Sequence, residues 1–296
     1  MTPNMRRPPS GPPPSAGVLA QYARAYAREA GVSEGRVRAW IAYMIMAGLL
    51  EQVTATDGPR FTIKGGVALE LRLRDRARAT KDIDIVLQES HRHRTDDGGS
   101  LPQQVERALE HALTTETYQG FTFRRKGEPV LLDNGTMSLE FAVSYRGSAW
   151  TSIVVDVAQA EPSEGEIELV PAIALTEAFG VTGPTVLPCL PLRLHIAQKI
   201  HGMTLPPRPG KRNERFRDLI DLLLMQQLVT DYGGLREACE TVFHSRATHA
   251  WPPTLAVPSH WEAPFARLAQ ELELEIKDAE SAMEHVREFV RRILQA

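Results

Sequence analysis

Two short segments of the chain carry residue types suited to phosphates and divalent cations. Lys64-Gly65-Gly66 precedes a helical pattern, and Asp82-Ile83-Asp84 follows, with Asp82 sixteen residues beyond Gly66. Adjacent glycines allow a tight turn whose backbone amides can approach an anion at a helix start, where the helix dipole favours negative charge. Two aspartates spaced by one residue on a strand point to the same face, so they can share a hard cation through oxygen ligands. Either feature alone is ordinary: a Gly-Gly pair is usually a turn, and an Asp-x-Asp triplet is usually a solvated strand end. In succession, with room for one helix and a returning strand, they point to phosphoryl or nucleotidyl transfer. In that chemistry the protein mainly positions substrates and neutralises phosphate charge.

Further polar residues fit such a centre. Thr80 shares the parity of Asp82 and Asp84 and reaches their face if the strand begins early. Asp156 interrupts the apolar run Ile153-Val154-Val155-Asp156-Val157. A carboxylate there needs a cation, or else lies exposed at a strand end. Lys199, in the largely apolar segment 194–200, either extends to solvent or is aimed at something anionic. Asp218 and Asp221 lie three apart on one helix face, open to plain helix pairing with Arg215 and Arg217 or to a functional role. Basic residues cluster twice, at Arg208, Lys211, Arg212, Arg215 and Arg217, and at Arg72, Arg74, Arg76, Arg78 and Lys81 between the two motifs. Such runs are usually solvated faces, but their placement beside the motifs suits a polyanion. His91 and His93 could ligate a metal, yet a loop with two histidines is ordinarily solvated.

The elements that must position these residues follow from period and punctuation. Residues 1–14 hold six prolines and few large apolar side chains, so a flexible tail is expected. Helical patterns occupy 15–30 and 33–53; the second carries Val37, Ile41, Met44, Ile45 and Leu49 at helical spacing, with Ser33 as N-cap. Residues 61–64 read as a strand and 67–73 as a helix, and Ile83, Ile85 and Leu87 alternate with polar positions. A loop at 91–100 leads to a helix at 101–115, and strands are expected at 121–125, 136–145 and 151–158. Beyond 185 the pattern is helical, at 192–203, 214–228, 235–243, 261–272 and 276–294. The reading is an α+β chain in two lobes, a mixed-sheet domain over 15–185 and a helical domain over 186–296. The boundary is expected between Gly183 and Leu190.

Length and composition agree with that reading. At 296 residues the chain is long enough for two cores. A net charge of −3 argues against indiscriminate coating of nucleic acid, although it averages over local patches. No uncharged apolar run approaches the roughly 20 residues that span a bilayer, and the N-terminus shows no apolar signal core, so a cytoplasmic protein without membrane contact is expected. Cys189 and Cys239 are too few for a disulfide framework or a cysteine zinc site and read as structural thiols.

Lys64-Gly65-Gly66-Val67-Ala68-Leu69, followed by Arg78-Ala79-Thr80-Lys81-Asp82-Ile83-Asp84, resembles the paired signature of the AbiEii-type nucleotidyltransferase toxins within the DNA polymerase β-like superfamily. Ile196-Ala197-Gln198-Lys199-Ile200-His201 and Arg217-Asp218-Leu219-Ile220-Asp221 resemble that family's helical-domain motifs in the same order. Trp251-Pro252-Pro253 and Pro258-Ser259-His260-Trp261 are similar to the mycobacterial MenT branch.

The resemblance implies a polymerase β-like fold and a toxin of a toxin–antitoxin pair. It implies a monomer that adds nucleotides from an NTP, CTP or UTP in the MenT case, to the 3′ acceptor end of tRNA and so blocks aminoacylation. By position, Lys64, Asp82, Lys199 and Asp221 would be essential. Asp82 and Asp84 would bind Mg2+, with Asp156 as a third acid, and Lys64, Gly65, Gly66, Thr80 and Lys199 would hold the nucleotide. Thr80 occupies a hydroxyl position that serves as a regulatory phosphosite in relatives. Arg208, Lys211, Arg212 and Arg215 would meet tRNA phosphates, and a cognate antitoxin is the expected partner. Transfer to a protein or small-molecule hydroxyl, or an inactive domain that binds RNA or antitoxin, are the alternative readings.

Overall fold

A computed structural model describes residues 10–54, 60–74, 77–78, 80–88, 109, 113, 118–132, 135–161, 165–207 and 209–296. The chain forms two compact units. The first comprises Met1–Arg72, Ala79–Ala160 and Leu169–Cys189, and the second comprises Leu73–Arg78, Glu161–Glu168 and Leu190–Ala296.

The first unit opens with α1 (Ala16–Ala30), N-capped by the Ser15 hydroxyl, which accepts from the Val18 amide, and ended by Gly31 in the left-handed region. Ahead of it, the Tyr145 hydroxyl donates to the carbonyl of Pro13, which is buried. Helix α2 (Glu34–Thr54) starts behind Ser33, whose hydroxyl accepts from the Arg36 amide at 3.2 Å, as its type and place predict. From Trp40 to Leu50 every α2 residue is buried. A helix apolar on all sides belongs inside a core rather than on its surface.

The sheet carries seven strands: β1 (Arg60–Lys64), β2 (Asp82–Gln88), β3 (Phe121–Leu131), β4 (Met137–Tyr145), β5 (Ser148–Gln159), β6 (Glu168–Pro171) and β7 (Val186–Cys189), in the order β3-β4-β5-β2-β1-β7-β6. Helix α3 (Gly65–Leu73) follows β1 directly, and the short α4 (Leu175–Phe179) lies between β6 and β7. The pairs β2–β5 and β1–β7 are parallel, while β1–β2, β3–β4 and β4–β5 are antiparallel, so the sheet is mixed and the chain is α+β as expected.

Alternation along β4, along residues 152–158 of β5 and along residues 82–85 of β2 fixes which face is which. Ile83, Ile85 and Leu87 of β2, Leu139, Phe141 and Val143 of β4, and Ile153, Val155 and Val157 of β5 share one core with α1 and α2. Each such side chain contributes about 1.5–3 kcal/mol on burial. A one-residue slip of β2 would expose three of them and turn Asp82 and Asp84 into apolar surroundings, so the register is strongly held.

The second unit packs α5 (Leu192–Met203), α6 (Phe216–Met225), α7 (Tyr232–Arg246), α8 (Glu262–Glu271) and α9 (Ala279–Gln295). Asp231 and Asp278 cap α7 and α9 by accepting from the amides of Gly234 and Ser281. Ala279, Ala282, Met283, Val286, Phe289, Val290 and Ile293 form the buried stripe of α9. Between α5 and α6, the Asn213 side-chain amide donates to the carbonyls of Gly202, Met203 and Leu205. The Asn213 carbonyl accepts from the Trp261 indole at 2.6 Å. The bonds to Gly202 and Met203 engage carbonyls in the last turn of α5.

Three short elements, β6, α4 and β7, were not foreseen. The expected boundary segment 183–190 contains β7, which joins the sheet, and the division between units follows Cys189. The expected helix starts at 67 but α3 already begins at Gly65. The loop with His91 and His93, most of the helix expected at 101–115, Arg76, Arg208 and residues 1–9 lie outside the described residues. Among the described residues, no helix is long and apolar enough to cross a membrane.

Candidate active site

The sheet register sets four polar residues in one row. Lys64 of β1 pairs with Asp84 of β2, Asp84 with Asp156 of β5, and Asp156 with Ser138 of β4. Directly paired residues project to the same face, so this row crosses four strands opposite the apolar core. Asp82, two residues before Asp84, is on that face too. The Ser138 hydroxyl donates to Asp156 Oδ1 at 2.6 Å.

The glycine turn presses on the same acids. Gly65 has φ +61, and a β-carbon there would overlap the Asp84 carboxylate; one on Gly66 would overlap the Thr80 hydroxyl. Only glycine meets both demands, a left-handed conformation and this close approach. Because α3 starts at Gly65, its unsatisfied first-turn amides and the positive end of its dipole begin beside Asp84. Thr80, buried, donates its hydroxyl to the Asp82 carbonyl and to Asp82 Oδ1, both at 3.1 Å.

Negative charge is concentrated here. Burial pushes the Asp156 carboxyl above its ordinary range; the Ser138 bond opposes this, and the Asp82 charge adds to it. Buried Tyr43 of α2 is pushed up by desolvation, then by the charges of Asp82, Glu70 and Asp84. Such a face calls for a cation. The acids on it, Asp82, Asp84 and Asp156, offer carboxylate oxygens, the ligand type that suits Mg2+. Among the described residues, no three His, Cys, Asp or Glu side chains form a ready-made metal cluster. Asp82 and Asp84, with Asp156 beside them, are the residues that would hold a magnesium ion.

In the second unit, Lys199 and Asp221 lie in a buried charge cluster. Lys199 Nζ donates to Asp218 Oδ1 at 2.9 Å and to Asp221 Oδ2 at 2.7 Å. Arg78 grips Asp221 with two nitrogens, Nε at 3.0 Å and Nη2 at 3.1 Å, while Arg215 Nε donates to Asp218. Burial alone would lower the Lys199 pKa, but the two aspartates outweigh it and hold the amine above its usual range. Asp218 is likewise held low: burial raises it, and the charges of Lys199 and Arg215 more than offset that. The Arg215–Asp218 helix pair exists as read from spacing. Asp221 takes Arg78 and Lys199 as its partners.

The structure thus gathers Lys64, Gly65, Gly66, Thr80, Asp82, Asp84 and Asp156 in the first unit, and Lys199 with Asp218 and Asp221 in the second. Lys211 and Arg212 are exposed, on the loop that Asn213 anchors. Sequence reasoning missed the pairing of Arg78 with Asp221, the role of Ser138, and buried Glu70. An acid flanked by Leu69 and Leu71 in a short helix was the available signal for Glu70.

The family model described as "Nucleotidyl transferase AbiEii toxin, Type IV TA system" matches residues 48–295. The chain belongs to this family. It is a nucleotidyltransferase toxin of the AbiEii type, and its toxin–antitoxin family implies a cognate antitoxin. Among solved structures, the nucleotidyltransferase toxin MenT4 from Mycobacterium tuberculosis H37Rv shares the fold, with TM-score 0.56 and 18% identity over 95% of this chain and 98% of that one. An antigenic nucleotidyltransferase-like protein from Paracoccidioides brasiliensis matches with TM-score 0.41 and 15% identity, over 82% of this chain and 96% of that one. The antibiotic-resistance factor ANT(2'')-Ia matches with TM-score 0.37 and 15% identity, over 70% of this chain and 94% of its own. No curated protein sequence matches the chain. In this AbiEii toxin, the row from Lys64 to Asp156 and the glycine turn lie together on one face of the sheet.

Proposed function

We propose that this toxin adds nucleotides, pyrimidines from CTP or UTP, to the 3′ hydroxyl of tRNA with Mg2+ and thereby blocks aminoacylation. The observation that carries the reading is the Lys64–Asp84–Asp156 row, with Asp82 on the same face, packed against the Gly65-Gly66 turn. Asp82 and Asp84 would hold the metal, which when bound neutralises phosphate charge and brings the reacting oxygens into line.

The remaining work falls to the chain. Lys64 and the first amides of α3 bind the triphosphate, whose charge the helix dipole favours. Thr80 orients the Asp82 carboxylate through its hydroxyl. The acceptor oxygen attacks the α-phosphorus, the bond to the β-phosphate oxygen breaks and pyrophosphate leaves, while the hydroxyl proton passes to a carboxylate of the same face. By the family resemblance Lys199, kept as an ammonium by Asp218 and Asp221, is an essential residue, with Asp221 orienting it. Exposed Lys211 and Arg212 support contact with tRNA phosphates, which makes binding weaken steeply with salt.

Incubation of labelled NTPs with total RNA and with total protein, followed by sequencing of tRNA 3′ ends, tests the proposal. Label on tRNA ends that vanishes with Asp82→Ala is expected. Label on protein or a small molecule transfers the reading to that acceptor, and no label anywhere leaves an RNA- or antitoxin-binding domain.

A further inference from the structure

Glu70 of α3 is 2% exposed, and its carboxylate is surrounded by donors from two other segments. Its Oε1 accepts from the Thr80 amide at 2.8 Å, and its Oε2 accepts from the Trp40 indole. The Arg36 guanidinium lies 3.6 Å from Oε1 and 4.7 Å over the Trp40 ring. A buried carboxylate persists only when such partners offset its lost hydration. Two of them, Arg36 and Trp40, come from α2; the third is the backbone that leads into β2.

We propose that Glu70 is a positioning residue for Asp82, acting through Thr80. The path is short: Glu70 holds the Thr80 amide, and the Thr80 hydroxyl holds Asp82 Oδ1 at 3.1 Å. Thr80 is also wedged against Gly66, where no β-carbon fits, so freeing its amide shifts the hydroxyl and with it the carboxylate. Glu70 touches no substrate in this scheme. The inference rests on the proposed role of Asp82, and a small displacement of a metal-holding carboxylate lowers both metal affinity and rate.

Glu70→Ala, Glu70→Gln and Trp40→Phe are compared with the intact chain and with Asp82→Ala. Three quantities are read: hydrogen exchange of the segment 77–84 without metal, Mn2+ binding by paramagnetic resonance without NTP, and NTP transfer. Glu70→Ala is expected to speed exchange in that segment, to weaken Mn2+ binding by at least about 10-fold, and to slow transfer by ~10-fold or more. The Thr80 amide and the Trp40 indole approach different oxygens of Glu70, and glutamine keeps only one of these as an acceptor, so Glu70→Gln should fall between alanine and the native residue. It supplies the same three readings if the alanine variant does not fold.

Trp40→Phe, which leaves the Thr80 bond in place, should bind Mn2+ as the intact chain does. The inference is overturned if the Glu70 variants match the intact chain in exchange and Mn2+ binding, or if Trp40→Phe weakens Mn2+ binding as much as Glu70→Ala. If Asp82→Ala abolishes transfer in the same series, only the role of Glu70 falls. Transfer that survives Asp82→Ala overturns the functional reading itself.

Discussion

Gly65 and Asp84 are packed so closely that a single added methyl group on Gly65 would overlap the Asp84 carboxylate. Gly65 also sits at φ +61, where a side chain is strained. Gly65→Ala must therefore push Asp84 aside as well as accept an unfavourable backbone. Nucleotide transfer is expected to fall by about 100-fold or more, with a stability loss of roughly 1–2 kcal/mol. Rates of labelled NTP incorporation and a denaturant titration check the two parts separately.

Asp156 should trade stability for activity. Burial and the Asp82 charge raise its pKa, so the folded carboxyl keeps its proton at pH values where the unfolded one has lost it. Its stabilising contribution is present below the unfolded value and is lost as pH rises through the folded value. At neutral pH the charged form is a net cost that Asp156→Asn removes, and asparagine still accepts from Ser138. In EDTA at pH 7 the variant should melt about 2 °C higher, while its transfer rate falls by about 10-fold. A lower melting temperature would contradict the net cost assigned to burying the charged Asp156.

The Lys199 cluster predicts an asymmetry between two substitutions. Lys199→Met leaves Asp218 with Arg215 and Asp221 with Arg78, so each acid keeps a cation. Asp221→Ala removes the acid that Arg78 and Lys199 share. Breaking a buried pair in this way costs about 3–5 kcal/mol, and Lys199→Met should cost clearly less. Urea unfolding of both variants measures the difference, and a larger loss for Lys199→Met would refute it. Activity lost in Asp221→Ala needs that stability measurement beside it before it is assigned to chemistry.

His201 predicts acid sensitivity in the helical unit. Its ring is buried, its Nδ1 faces Arg246 Nη1 at 3.3 Å, and its Nε2 lies 2.7 Å from the Thr248 hydroxyl. Arginine can only donate, so Nδ1 accepts and Nε2 carries the proton. Burial first, then the charges of Arg246 and His249, lower its pKa to about 4. Between the unfolded value and that figure the unfolded chain binds the extra proton. Stability is therefore full above about pH 6.5 and is lost as pH falls toward 4. The loss should be on the order of 2 kcal/mol after allowance for solvent screening. Unfolding free energies at pH 7, 5.5 and 4.5, with His201→Gln as the control that flattens the profile, check this.

Sequence alone determined the local part of this protein. The alternation of Ile83, Ile85 and Leu87 assigned Asp82 and Asp84 to one face, the helical spacing of Val37, Ile41, Met44, Ile45 and Leu49 marked α2, and the spacing of Lys64-Gly65-Gly66 to Asp82 required a helix and a return. Those signals survive without an assembled structure because they depend on residues within a turn or a strand of one another. The short strands β6 and β7 carried no such signal: four residues with an interior or terminal proline are too few to show a period.

Only the tertiary structure decided the partners. It set Asp84 between Lys64 and Asp156, gave Asp221 to Arg78 rather than Arg217, and bound Glu70 to the Thr80 amide. Strand register and the pairing of buried charges depend on segments far apart in the chain. A carboxylate in a sequence has many donors it could meet, and packing selects among them because the apolar faces must be buried first.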